Sequence, residues 1–375
     1  MILRKESPMS SLLTNSLDIK ENLPFISVIV PCRNEEKFIG GCLDSITGND
    51  YPKDRLEVLV VEGMSEDGTL EIIKSYAQQY PFIKLLDNPE KVTPVGLNRG
   101  IRNARGSVII WMSSHNFYEK DYIIRSIENL HKYSADNVGG IMKTLPREDT
   151  LLGRAIVASL SHRFGVWNSY FRIHTSEPRW VDTVFGGCYR KEVFDRVGLF
   201  NENLVRGQDM EFNLRLKRAG GKTLLIPDIV SYYYARSDIK SFWEHNFTNG
   251  LWAVLPFSHS EIMPVSWRHL VPLIFVTSLI GAAILGIFLT PFKWIFIAIV
   301  VSYLVANLAA SLQIAWREQD LRYLVIMPFV FGTLHIGYGL GSLWGVLKLL
   351  RTPRFWSKLF RWGKARRQDQ PEVFK

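Results

Sequence analysis

Residues Val271–Leu289, VPLIFVTSLIGAAILGIFL, carry no charged side chain and are long enough, as a helix, to cross a bilayer. Trp294–Trp316 follows with the same character. Tyr323–Leu347 is a third apolar segment, rich in glycine and containing His335 and Tyr338. One such run could be a helix buried in a protein core. Three in succession predict a membrane region over 269–350. The chain must then divide, because the preceding part alternates polar and apolar stretches as a water-soluble domain does. Residues 25–240 are assigned to that domain and 241–268 to an interface linker. Residues 1–24 read as a flexible leader without an apolar core long enough for a signal peptide.

The net charge of +9 narrows the class further. Much of it lies in the tail 351–375, whose Arg351–Arg367 stretch RTPRFWSKLFRWGKARR interleaves cations with Phe355, Trp356, Phe360 and Trp362. That pattern suits a lipid headgroup interface, and a nucleic-acid partner is excluded because the cations sit beside membrane segments. Two spans return Arg317–Arg322 to the side of the soluble domain, which fits an inner-membrane, multi-pass chain with that domain cytoplasmic. A third full span would carry the basic tail outside, so the glycines and His335 offer an alternative: a re-entrant or interface-lying segment. Three cysteines, Cys32, Cys42 and Cys188, have no metal-ligand spacing and predict no disulfide framework.

Within 25–240 the order is strand (Phe25–Pro31), helix, strand (Leu56–Val61), helix (about Thr69–Tyr80), strand (Ile83–Leu86), helix (Pro94–Ala104), strand (Val108–Met112). This predicts an α/β, Rossmann-like and mostly parallel sheet. Neither a G-x-G-x-x-G fingerprint nor a phosphate loop is present. Beyond it, Asp121–Tyr133 reads as a helix and Gly139–Met142 as a strand. About 149–175 reads as an irregular flap with some helix, Trp180–Tyr189 as a strand, Arg206–Gly220 as a helix and Leu224–Pro227 as a strand. The run Val108–Met112 stops at Ser113, Ser114 and His115. Ligands of open α/β sheets bind off such strand ends, yet this one carries no carboxylate.

SVIVPCRNEE, VVEGMSEDGT, GLNRGIRNARGSVIIWMSSH, GGCYRKEVFDRVGLFNE and GQDMEFNLRLKRAGGK, in that order, resemble the inverting family 2 glycosyltransferases of GT-A fold over about Phe25–Ala235. The membrane tail, with HNFTNGLW before it and HIGYGLG within it, is similar to succinoglycan-type bacterial exopolysaccharide transferases. The resemblance implies an enzyme that moves one sugar from a nucleotide-sugar, a UDP-sugar, to a lipid-linked (polyprenyl diphosphate) or polysaccharide acceptor. Other glycan-assembly proteins are further implied partners. The absence of Gln-x-x-Arg-Trp near Phe242–Trp252 points to single addition rather than polymerisation.

By the same resemblance Pro31, Arg33, Asn34, Glu35, Glu62, Asp67, Asn98, Ser113 and Ser114 line the nucleotide-sugar site. Asn34 and Glu35 read locally as caps of the next helix, Asp67 as an N-cap, and Lys91 as either a diphosphate partner or a solvated lysine. Gly186, Gly187, Arg215 and Trp252 are placed at the acceptor, Gly186-Gly187 because backbone can come close there. GT-A enzymes usually hold Mg2+ or Mn2+ with Asp-x-Asp, or with Asp-x-His in the succinoglycan type, where this chain has Ser113-Ser114-His115. His115 is the one candidate metal ligand left, and the site reads as weakened or metal-optional. Asp209 is assigned as catalytic base, with Gln208 where the family has Glu. Glu211 is the rival by chemistry, although two residues' spacing lets only one of them face inward. The competing reading of the whole domain is a degenerate transferase kept as a scaffold or regulatory subunit.

Overall fold

The computed structural model describes residues 23–173, 175–259, 267–353 and 355–356, in two compact units. The leader expected over 1–24 and the tail over 351–375 lie almost entirely outside the described residues. The first unit takes in 23–143 and 170–233, the second 144–169 and 234–356.

The first unit is built around β1 (Ile26–Cys32), an apolar, β-branched run whose every residue is buried. β2 (Leu56–Glu62) and β4 (Val108–Trp111) flank it in parallel, and β3 (Ile83–Asp87) extends the sheet beyond β2. Helices α1 (Ile39–Thr47), α2 (Thr69–Gln79) and α3 (Thr93–Asn103) are the crossovers. α1 buries Ile39, Cys42, Leu43 and Ile46, the face its periodicity predicts.

The other half is antiparallel, which corrects the mostly parallel expectation. The strand order is β3-β2-β1-β4-β8-β6-β9-β5, with β7 pairing β9. It uses β5 (Asn116–Tyr118), β6 (Asn137–Pro146), β7 (Arg179–Val181), β8 (Gly187–Arg190) and β9 (Thr223–Ala235). β5 follows β4 after four residues, far too few for the dozen or so that a parallel crossover needs. α4 (Tyr122–Lys132), α7 (Glu192–Val197) and α8 (Gln208–Arg218) complete this part.

The entry of β4 is locked by a buried acid. Glu57 on β2 accepts hydrogen bonds from Ser27 Oγ (2.7 Å), Arg105 N (2.7 Å), Arg105 Nε (3.1 Å) and Lys84 Nζ (3.1 Å). Ser27 Oγ in turn accepts from Gly106 N at 2.9 Å. Burial alone would raise the Glu57 pKa, but these donors outweigh it and hold the carboxyl below its usual value.

The second unit contains α5 (Leu151–Leu160), α6 (Arg163–Val166), α9 (Ile239–Val254), α10 (Pro256–His259), α11 (Trp267–Phe288), α12 (Thr290–Glu318) and α13 (Tyr323–Leu350). Three of these helices are long and apolar enough to cross a membrane: α11 over His269–Phe288, α12 and α13. α13 is one continuous helix of 28 residues, about 42 Å at the α-helical rise. That length exceeds the hydrocarbon layer, so the third apolar segment is a helix able to span rather than a re-entrant turn. α9 lies close along it. A Cβ at Gly250 would come 1.9 Å from the Tyr338 carbonyl oxygen, and one at Gly341 1.9 Å from that of Phe247. Trp243 covers Gly337, so the linker expected at 241–268 begins as a packed helix.

The segment expected as a flap, about 149–175, forms α5 and α6, and its part up to Ser169 belongs to this unit. His335 holds it there. Its Nε2 donates to the Phe164 carbonyl at 2.9 Å, so Nδ1 is the acceptor for the Tyr303 hydroxyl at 3.1 Å. Both ring nitrogens are matched, which explains a histidine inside an apolar helix without a re-entrant turn.

Glu57→Gln is expected to lower the unfolding free energy by about 2 kcal/mol, through an unsatisfied buried polar cluster. Because the Glu57 pKa is depressed on folding, its contribution is present at neutral pH. It is lost as pH falls below the ordinary glutamate range. Thermal melts of the full chain in detergent should therefore converge for wild type and variant on acidification.

Candidate active site

Parallel strands bring their carboxyl ends to one edge, and the chain turns from β1 outward to β3 before returning to β4 on the other side of β1. This is the crevice where open α/β sheets take ligands. β4 stops pairing at Trp111 opposite Ile29, while β1 continues to Cys32 beside Glu62. Met112 N still donates to Ile29 O at 3.0 Å. Pro31, two residues on, turns the same way and has no N–H to leave unpaired where β4 has ended.

The loops at this edge are stitched together. Asn34, at φ +55°, donates N–H to Ser65 Oγ (2.9 Å) and accepts from Glu66 N (2.9 Å). Arg33 reaches Glu66 at 3.4 Å. Glu35 N donates to Thr69 Oγ1 at 2.8 Å, and Asp67 accepts from Glu36 N, Thr69 N and the Thr69 hydroxyl. The hydroxyl contact, first, and then the amides hold the Asp67 carboxyl below its usual range. The N-cap position of α2 is Gly68, so Asp67 braces the helix start from one residue earlier. Glu62 is buried and accepts from Met64 N (2.9 Å) and Ser65 N (2.7 Å), which fixes the turn after β2. Lys91 is exposed in the loop after β3.

The Ser113–His115 turn is tied to the same edge. Ser113 N donates to the Tyr118 hydroxyl at 2.7 Å, and Cys42 Sγ approaches Ser113 O at 3.5 Å. Ser114 is buried. His115 Nδ1 stands 3.1 Å from Glu35 Oε1, and Ser113 Oγ 3.3 Å from His115 Nε2. The expected Mg2+ or Mn2+ would find one imidazole, one carboxylate and serine hydroxyls. Among the described residues no group of three or more His, Cys, Asp or Glu side chains could hold a metal. Without the acids of Asp-x-Asp the set offers a hard cation one carboxylate, and substrate phosphate and water would have to fill most of its other positions.

Across β4, Trp111 pairs with Gly187 of β8 and Ile109 with Tyr189. Gly186 (φ +67°) and Gly187 (φ +136°) adopt conformations that a side chain resists, and a Cβ on Gly186 would meet Trp111 O at 2.7 Å. This double glycine therefore lets β8 close against the end of β4. Asp209, half-buried in the first turn of α8, lies near Tyr189. Burial, and after it the Asp209 charge, push the Tyr189 hydroxyl far above its usual value. The Gln208 side-chain oxygen Oε1 beside it is buried without a hydrogen-bond partner among the described residues.

Two of the expected site residues have partners within the fold. Arg215 is half-buried and grips Glu211 through Nε (2.9 Å) and Nη2 (3.0 Å), and it donates to the carbonyls of Val197 and Leu199 (2.7 Å to the latter). It fastens α8 to the chain after α7. Glu211, buried in that pair, is thereby out of contention with Asp209. Asn98 is buried with its amide donating to Phe200 O (2.8 Å) and Glu202 (2.9 Å) and accepting from Phe200 N (2.9 Å). It pins α3 to the 200 segment. Trp252 lies on α9 in the second unit.

Residues 27–198 match the family described as glycosyl transferase family 2. This segment is a glycosyl transferase family 2 domain. The glycosyltransferase is 29% identical over 334 residues to a dolichyl N-acetyl-alpha-D-glucosaminyl phosphate 3-beta-D-2,3-diacetamido-2,3-dideoxy-beta-D-glucuronosyltransferase of Methanococcus voltae, covering 86% of this chain and 98% of that protein. It is 26% identical to the succinoglycan biosynthesis protein ExoA of Rhizobium meliloti, over 65% of this chain and 80% of that one. Among solved structures, the mannosyltransferase PcManGT from Pyrobaculum calidifontis, in complex with GDP-Man and Mn2+, aligns with a TM-score of 0.54 at 19% identity. That alignment covers 90% and 94% of the two chains and shows the shared GT-A fold.

Asn98→Leu is expected to cost about 2 kcal/mol of stability by leaving the Phe200 backbone unpaired, with nucleotide affinity of the folded glycosyltransferase unchanged. Melting and nucleotide titration of the same sample check both parts.

Proposed function

We propose that this glycosyltransferase moves one sugar, with inversion, from a nucleoside-diphosphate donor to a polyprenyl phosphate- or diphosphate-linked acceptor in surface-glycan assembly. The observation that carries the reading is Asp209 in the first turn of α8, near Tyr189 and the Gly186-Gly187 closure against the end of β4. The donor nucleoside, UDP-linked in this reading, lies along Pro31–Glu35 and the Glu62–Asp67 turn, with its diphosphate toward Ser113–His115. The acceptor hydroxyl approaches past Gly186-Gly187. Its oxygen attacks the anomeric carbon, its proton passes to the Asp209 carboxylate, and the C–O bond to the diphosphate breaks with the electron pair leaving on phosphate. One face is attacked and the opposite bond breaks, so configuration inverts. A lipid-linked acceptor is supported by the three apolar helices and by the dolichyl phosphate in the name of the Methanococcus voltae relative.

Asp209→Asn is expected to reduce kcat by about 100- to 10,000-fold while nucleotide binding is retained. Transfer assays on membranes with polyprenyl-linked sugars check this. Wild-type turnover that Asp209→Asn leaves unchanged would remove Asp209 from the reaction, and no turnover with any donor would favour a scaffold.

In this reading the catalytic domain and the 319–322 loop share the cytoplasmic face. The native cysteines are buried, so a membrane-impermeant maleimide should label only Leu321→Cys. It should do so only after permeabilisation; labelling of intact cells contradicts the orientation.

A further inference from the structure

The serine turn leaves a charge problem. A donor diphosphate brings two or more negative charges to the end of β4, where serines stand in place of the acids that would hold a divalent cation. A second cationic group lies one aromatic ring away. Tyr233 on β9 pairs with Asn116, the residue after His115, and its ring meets the His115 ring edge-on with centroids 5.8 Å apart. The Arg172 guanidinium lies 5.7 Å from the centre of the same Tyr233 ring and 5.6 Å from that of Phe171. Glu35, Ser113, His115, Tyr233 and Arg172 therefore form one continuous cluster within the first unit.

Arg172 is also well placed to be rigid. Phe171 O accepts from Met142 N at 2.7 Å, which ties its segment to β6. The Phe171 ring stacks on Phe185, immediately before Gly186, with centroids 6.4 Å apart. Arg172 thus follows an anchored residue and lies against the Tyr233 ring that also meets His115. The planar fork of a guanidinium matches phosphate oxygens in pairs. Burial draws the Arg172 pKa down from its usual value, as for a cation stripped of part of its water.

We infer that Arg172 supplies the positive charge that holds the donor diphosphate and receives the leaving phosphate, the part a divalent ion plays where Asp-x-Asp is present. As the acceptor oxygen bonds to the anomeric carbon and the C–O bond to phosphate breaks, the electron pair moves onto the leaving oxygen beside the guanidinium. This rests on the donor-site reading above.

The test uses the full chain in detergent, titrated with UDP and GDP and with their monophosphates, in the presence of EDTA. Wild type is expected to prefer its diphosphate over the monophosphate without added metal. Arg172→Ala should lose about 10- to 100-fold in diphosphate affinity, with monophosphate affinity little changed. Arg172→Lys should fall between, because it keeps the charge and loses the fork. If Arg172→Ala proves unstable, Arg172→Gln against Arg172→Lys gives the same comparison. Equal diphosphate affinity in wild type and the neutral variants overturns the inference, as does diphosphate binding that appears only with Mn2+. Wild type binding none of these nucleotides would instead overturn the donor site itself. Ser113→Asp in the Arg172→Ala background should restore diphosphate binding, now dependent on Mn2+.

Discussion

The site depends on the parallel register of β1 with its two neighbours. Cys32, Glu62 and Asp87 end three strands at one edge, and β4 stops short there at Trp111. Every loop that leaves this edge must be held against its neighbour, and Glu35 is the joint between them. Its backbone N–H is bound by Thr69 and its carboxylate faces His115, so one residue couples the ends of β1, β2 and β4. At the opposite end of the strands, Glu57 performs a comparable task, holding the entry of β4 to β1 and β2. The crevice is thus framed by an acid at either end of the parallel strands, one facing the site and one buried away from it.

The parallel half was legible because β1, β2 and β4 are apolar runs rich in β-branched residues, as burial on both faces demands, while the edge strand β3 showed only Ile83, Leu85 and Leu86. Its strands agree with the sequence-based bounds to within a residue or so. The antiparallel half was harder to read. β7 and β8 are three and four residues long, and β9 extends from Thr223 to Ala235, where only its apolar start stood out. Its later residues Tyr232, Tyr233 and Tyr234 carry no simple alternation, and Tyr233 meets the His115 ring.

Motif position names candidate residues along the chain but does not distinguish those whose polar atoms are matched inside the fold from the others. Asn98 and Arg215 match the pattern as well as Asp209 does. Their partners lie far away in sequence, at Phe200 and at Val197–Leu199, and only the fold shows that their polar atoms are already matched. Arg172 presents the reverse case. It stands in a stretch with no periodicity and no motif, and its place near His115 follows from the pairing of β5 with β9. A sequence signal did exist: the loss of two carboxylates at Ser113–His115 says that charge must be balanced elsewhere, without saying where.

The insert 144–169 changes how such a chain can be made. The polypeptide passes between the two units three times, near residues 143, 169 and 233, instead of once through a linker. His335 and Phe331, which receive the insert, are made more than 160 residues after it. On the ribosome the catalytic strands therefore emerge with an apolar helix pair among them that has no partner until the last membrane helix arrives. Contacts of such long sequence separation are slow to form. Completion of the membrane region thereby becomes a condition for completing the enzyme, and a chain cut before α13 would leave that helix pair without the surface it packs on.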